Sequence, residues 1–216
     1  MRIFKTLIFS AAFCGLTACS ADAVDAQVIS QETSQAAASQ VVSDIAPQLK
    51  LAPNWTMRAD ESSIVFKGKQ TGDEFSGEFT SFTTEIVFKP DFLNVSRVTA
   101  VIDMSAFDAG SSDRNDALPG KEWFSIKKFP EAVFESNEFV ATDEGTYEAI
   151  GTLTLRGVSL PVTVPFDIEI VDGVATMNSE LSLNRSDYGV GQGAWAKGEW
   201  VDLNVGLEIT IVADAI

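Results

Sequence analysis

Histidine is absent from this 216-residue chain, and its two cysteines, Cys14 and Cys19, both lie near its start. Without histidine, the usual general base of a Ser or Cys triad is missing, and so is the commonest metal ligand. With no cysteine in the body of the chain, a zinc site is close to excluded. The remaining reactive inventory is 31 Asp and Glu against 15 Lys and Arg, a net charge of −16. Two carboxylates could hydrolyse a glycosidic bond. With so many acids, however, some pair always falls near enough, so their abundance points to no reaction. So acidic a chain also disfavours nucleic acid, where affinity comes from Lys and Arg neutralising phosphates. An anionic bilayer surface repels it for the same reason.

The start of the chain carries its own chemistry. Arg2 and Lys5 precede a short apolar run, Leu7 to Leu16, and Leu16-Thr17-Ala18-Cys19 follows. The run is too short to span a membrane and reads as a secretory signal over residues 1–18. Its end resembles the lipobox of bacterial lipoproteins, which implies cleavage before Cys19 and lipidation of Cys19. An ordinary signal peptide cut nearby is the alternative. Ser20 after the cysteine favours the outer membrane by the enteric rule. Losing the signal removes Arg2 and Lys5, so the mature chain carries −18. It then has no thiol and no disulfide, and stands on its core alone. Residues 19–53 form a linker. From Ser20 to Ala46 the linker is rich in Ala, Gln, Ser and Asp, and reads as a flexible tether.

The folded domain is expected over residues 54–216, and its strands are legible from alternation. Tyr147 to Val171 sets the pattern. Tyr147, Ala149, Gly151, Leu153 and Leu155 point one way, while Glu148, Thr152 and Thr154 point the other. After Gly157, Val162, Val164, Phe166, Ile168 and Ile170 continue the apolar face. A period of two with β-branched residues is a half-buried strand. A lone hairpin is marginal in water, so the rest of the chain must cover its apolar face. Trp55–Met57 and Ile64–Phe66 read as a strand pair around a turn at Asp60 to Ser62. Further strands follow around Phe79 to Phe88, over Val95 to Met104, Ala132 to Val140 and Val174 to Leu183. The last runs from Val201 to Ile211 and closes against the first. Ser111 or Ser112 caps one short helix, which Pro119-Gly120 stops. Pro161 and Pro165 require an edge, bulge or rim, because proline cannot donate to a ladder. About eight to ten antiparallel strands with one helical insertion make a barrel or sandwich. A transmembrane barrel also alternates, but the aromatics form no matched girdles.

Several stretches resemble the YceI-like, lipid/polyisoprenoid-binding family, in order from about Asn54 to the C-terminus. They are SSIVFKGKQTGDEFSGEFTSF, the Ser112 to Leu118 segment with Trp123-Phe124, Phe129-Pro130-Glu131-Ala132-Val133-Phe134, Gly151 to Val158 with Pro161-Val162, and Asn184 to Val190. Asn115 between Arg114 and Asp116 departs from the family's Arg-Asp pair. The resemblance implies an all-β, extended antiparallel β-barrel, lipocalin-like, with one short helical insertion. It implies non-covalent binding of a long isoprenoid or amphiphilic lipid, of quinone or polyprenyl phosphate type, in an apolar lumen. It implies no reaction, so the chain reads as a binder and not an enzyme, with no required cofactor and no metal.

On that reading Arg114, Arg156 and Arg185 are head-group candidates, since a guanidinium offers forked donors. The plain alternative for each is a salt bridge, as of Arg114 with Asp116 or Arg185 with Asp187. Phe79, Phe88, Trp123, Phe124, Phe134, Leu153, Phe166, Tyr188 and Trp195 are lining candidates, or equally core. Gly189, Gly191 and Gly193 belong to a rim loop, with no helix following to make a dinucleotide site. The implied setting is the periplasm, attached to a membrane through Cys19. Family members often pair, which raises a homodimer. The competing function is a filled barrel acting as a structural or partner-interaction module of the cell envelope.

Overall fold

The computed structural model describes residues 52–143 and 145–216. The expected signal, Cys19 and all of the tether before residue 52 lie outside the described residues. Leu51–Ile216 forms one compact unit.

Alternating side chains build eleven strands here: β1 (Trp55–Met57), β2 (Ser63–Gln70), β3 (Asp73–Phe79), β4 (Phe82–Val87), β5 (Arg97–Asp103), β6 (Phe107–Asp108), β7 (Glu131–Asp143), β8 (Thr146–Leu155), β9 (Val158–Val171), β10 (Val174–Asn184) and β11 (Asn204–Ala215). They form one antiparallel sheet in the order β1-β4-β5-β7-β8-β9-β10-β11, and β1 pairs again with β11 to close an eight-stranded barrel. The strands β2, β3 and β6 extend from β11 in that order. Closure leaves few free edges for another chain to pair with.

The closing strand serves two partners. Trp55↔Ala215 and Met57↔Ala213 join β1 to the C-terminal part of β11, whereas Ser63↔Thr210 to Lys67↔Gly206 join β2 to its N-terminal part. The expected pairing of Trp55–Met57 with Ile64–Phe66 is therefore corrected. The two segments lie end to end along β11, because one long strand offers enough donors and acceptors for both. Ile216 N–H donates to the Asn54 carbonyl at 3.0 Å, and the Trp55 indole donates to the Phe88 carbonyl at 3.0 Å. Among the described residues, these closing contacts lie within residues 54–216.

Local rules set the turns. Arg156 and Gly157 both have positive φ, 53° and 77°, which suits the two-residue turn between β8 and β9. Asp172 and Gly173 repeat this between β9 and β10. Helix α1 (Ser112–Ala117) begins where the Ser111 hydroxyl accepts from Arg114 N–H at 3.3 Å. The prolines resolve simply. β9 bonds β10 only from Asp167 to Val171, so Pro161 and Pro165 lie on the part bonded to β8 alone.

The inward faces gather into two clusters. One holds Ile64, Phe66, Phe79, Phe124 and Tyr188 beside α1 and the loop after it. The other holds Trp55, Phe88 and Phe166 at the end where the termini meet.

Candidate functional site

Between the two clusters the inward positions leave a cavity of about 450 Å³. That size is ordinary for a small-molecule site. Small side chains open it: Ala100, Ala132, Ala149, Ala175 and Ala213 all stand in its wall. A filled core would need bulk at such positions. Glycines widen it further by letting rings lie flat on the sheet. A Cβ on Gly151 would meet the Phe134 ring at 2.8 Å, and one on Gly68 would meet Phe75 at the same distance.

All nine aromatic and aliphatic candidates, Phe79, Phe88, Trp123, Phe124, Phe134, Leu153, Phe166, Tyr188 and Trp195, border this cavity. At one end Phe88 meets Tyr147 and Phe166 edge-on at 5.3 and 5.8 Å. At the other, Trp123 and Trp195 approach to 5.5 Å, and Phe79 lies 6.0 Å from Phe124.

The three arginines separate. Arg114 borders the cavity from α1. Its Nε donates to the Ala109 carbonyl at 2.7 Å, its Nη1 to Gln70 Oε1 at 3.3 Å, and its guanidinium lies 4.6 Å from the Phe75 ring centre. Nη2 makes no hydrogen bond with the described residues and stays available. Arg185 also borders the cavity but is 4 % exposed and spent. Its donors reach the carbonyls of Asp202 (2.9 Å), Val190 (2.8 Å), Gly191 (3.4 Å), Trp195 (2.6 Å) and Val201 (2.6 Å). Burial pushes its pKa down, and Asp202 opposes that. The head-group expectation for Arg185 is corrected on this ground: its donors hold the glycine-rich loop and leave little for a ligand.

Arg156 is corrected too, since it does not border the cavity. As the first residue of its turn it reaches back to the carbonyls of Trp123 (2.7 Å) and Lys121 (2.9 Å), over Phe129. Nor do the plain alternatives hold. Among the described residues, no ion pair joins Arg114 to Asp116 or Arg185 to Asp187; the Ala109 carbonyl and the Gln70 amide oxygen hold Arg114, and backbone carbonyls hold Arg185.

Sequence reasoning missed Gln70, Thr84 and Asp113, the other polar residues of the wall. Gln70 was within reach: Ile64, Phe66, Gly68 and Gln70 share one face of β2, and a polar side chain ends that inward series. The described residues hold no group of His, Cys, Asp and Glu fit for a metal ion.

A family model for the YceI-like domain matches residues 55–213. A UPF0312 protein of Yersinia pestis (strain Pestoides F) is 36% identical over 102 residues, covering 47% of this chain and 53% of that protein. One from Vibrio parahaemolyticus is 30% identical over 104 residues, covering 48% and 55%. The chain thus spans about half the length of the curated relatives it matches. The structure of Burkholderia cenocepacia BcnA superposes with a TM-score of 0.70 at 28% identity, over 72% of this chain and 98% of that one. A polyisoprenoid binding domain from Saccharophagus degradans, implicated in plant cell wall breakdown, gives 0.62 at 14% identity, over 76% and 99%. At that identity the likeness concerns the fold.

Proposed function

From the chain's membership of the YceI-like family, we propose that it binds a long isoprenoid or similar amphiphilic lipid non-covalently, with the chain in the barrel and an oxygen-bearing head beside Arg114 and Gln70. The observation that carries this is the cavity, walled by apolar side chains from both clusters and polar at the α1 end through Gln70, Asp113 and Arg114. Burying a prenyl chain there gains roughly 25 cal/mol per Å² of apolar surface. Arg114 supplies a charged donor on Nη2, which suits a quinone carbonyl or a phosphate oxygen. The polyisoprenoid binding named for the Saccharophagus degradans domain supports the same ligand class. No reaction is needed, and the site assigns no nucleophile or base.

The setting we propose is the periplasm, with Cys19 acylated and the domain tethered to a membrane, the outer one by the Ser20 rule. Two membrane signals generally suffice for stable anchoring, and several acyl chains on one cysteine meet that requirement.

Native mass spectrometry of the chain from Ala21 onward, made in a bacterium, tests the binding. A stoichiometric adduct of isoprenoid mass, lost on solvent extraction and restored by quinone or polyprenyl phosphate, is the expected result. A clean apo mass with no uptake of either would overturn it and favour a structural or partner-binding role.

A further inference from the structure

The barrel wall is not bonded along its whole length. The register between β9 and β10 runs from Val171↔Val174 to Asp167↔Asn178 and stops there. Beyond that point β9 stays paired with β8 as far as Val158, and β10 stays paired with β11 as far as Asn184. Residues 158–166 and 179–184 are thus neighbours in the barrel order, each held by its outer partner, with no ladder between them. The sequence explains where the ladder ends. In a two-residue hairpin the residues flanking the turn form the mutually bonded pair, here Val171 and Val174. Every second residue then aims its N–H the same way, so positions 169, 167, 165, 163 and 161 aim theirs at β10. Of the next three donors past Asp167, Pro165 and Pro161 remove two, including the first. By the same alternation the N–H groups of Glu180 and Ser182 point from β10 toward this proline-bearing edge.

We propose that this slot is a lateral portal through which the apolar chain of the ligand enters and leaves the barrel; the proposal rests on the binding reading above. The slot opens on the cavity, since Val162 and Val164 on one edge and Leu181 and Leu183 on the other all line it. Aromatic side chains stand at both ends of the cavity, with Trp123, Phe124 and Tyr188 buried at one and Trp55, Phe88 and Phe166 at the other. Entry through either end displaces several packed rings, whereas entry through the slot breaks no ladder hydrogen bond. The slot has definite limits. Its foot is the Asp167↔Asn178 pair, where the Asn178 amide donates to Asp167 Oδ2 at 3.2 Å. At the α1 end the β8–β9 turn meets the loop after β10, where a Cβ on Gly189 would lie 3.0 Å from Arg156 Nη1. The rim suits an apolar chain: Pro161, Thr163, Pro165 and Ser182 are exposed and uncharged, and Glu180 is the only charged residue on either edge. The same prolines blunt the edge against a strand of another protein, which leaves the lipid chain as the occupant.

A cleavable bridge across the slot tests this. In the full chain with Cys14→Ser and Cys19→Ser, Thr163→Cys/Ser182→Cys is joined by a bismaleimide whose spacer contains a disulfide. Uptake of a short-chain ubiquinone is followed by quenching of tryptophan fluorescence, since Trp123 and Trp195 border the cavity. The bridged protein should take up the quinone at least about tenfold more slowly than the unbridged one, and reduction of the spacer should restore the rate. The adduct reached at equilibrium, read by native mass spectrometry, should be the same in both. A bridge between Glu135→Cys and Thr152→Cys, which pair directly on β7 and β8 and are both exposed, should leave the rate unchanged. Equal rates with and without the Thr163–Ser182 bridge overturn the portal while leaving the binding reading intact. Absence of uptake by the unbridged protein overturns both. Pro161→Thr/Pro165→Thr approaches the same question without chemistry at the rim, because it restores the two donors aimed at β10. Hydrogen exchange at Glu180 and Ser182 should slow as the ladder lengthens, and quinone uptake should slow with it. Slower exchange with unchanged uptake also overturns the portal.

Discussion

Arg185 Nη2 donates to the carbonyl oxygen of Trp195 at 2.6 Å, across ten residues of glycine-rich loop. The same guanidinium also holds Val190, Val201 and Asp202, and lies 5.3 Å from the Trp123 ring. One buried side chain thus fixes the loop and the aromatic wall it carries. Arg185→Met leaves several buried carbonyls without donors. A loss of about 3–5 kcal/mol in urea unfolding is expected. Arg185→Lys should recover little, because an ammonium cannot reproduce the planar fork.

A Cβ on Gly151 would meet both the Phe134 ring and the Glu135 carbonyl oxygen on the neighbouring strand β7. Gly151→Ala should destabilise by about 1–3 kcal/mol, because both the ring and the carbonyl must shift. Adding Phe134→Leu should recover part of that loss in the same unfolding measurement. Full recovery would show that the carbonyl contact does not matter.

Ala100 stands between Thr84 and Phe134 on neighbouring strands and borders the cavity. Ala100→Phe places a ring in the space assigned to the lipid chain. The isoprenoid adduct should disappear from native mass spectra while cooperative thermal unfolding is retained. An unchanged adduct would move the ligand out of the barrel.

Arg114→Met keeps the packing on Phe75 but removes the free donor. Hydrogen bonds to charged groups are worth about 1.5–3 kcal/mol. Affinity for a prenyl quinone or polyprenyl phosphate should fall at least about tenfold. Affinity for a headless isoprenoid hydrocarbon should not change, and a competition assay separates the two.

Acid should weaken the fold in a defined window. The hydrogen bond from Arg58 holds the Asp214 carboxyl below its ordinary range, as the Asn115 amide and Gly110 N–H hold Asp108. A depressed folded pKa gives stability that is present above the unfolded value, about 3.9, and is lost as pH falls through the folded value. Tm should therefore stay nearly flat from pH 7 to about 5 and drop below about 4. Asp214→Asn should make that drop smaller, though modestly, because the pair is exposed and screened.

Much of the barrel was legible because each strand is half buried. Leu153 and Leu155, then Val162 and Val164, are separated by polar outward residues, and a period of two has one structural meaning. Ser111, Asp113 and Pro119 marked α1 by local chemistry alone. The lining aromatics were legible for the same reason, being inward residues on those strands. The position of Pro161 and Pro165 followed from a missing donor, although where β9 leaves β10 did not.

The sequence by itself determined the strand pattern, the turns, the inward face and the absence of histidine and body cysteines, since these depend on neighbours in the chain. Tertiary structure decided which arginine keeps a free donor. Arg114, Arg156 and Arg185 look alike as residues, and each sits near a turn or a carboxylate. Their partners are carbonyl oxygens, of the backbone or of the Gln70 amide, as far as 44 residues away, which only closure of the barrel brings within reach. The same closure decided that β11 serves both β1 and β2, and it left alanines facing a cavity. A guanidinium binds whatever acceptor the fold presents, and alternation fixes only which way a side chain points.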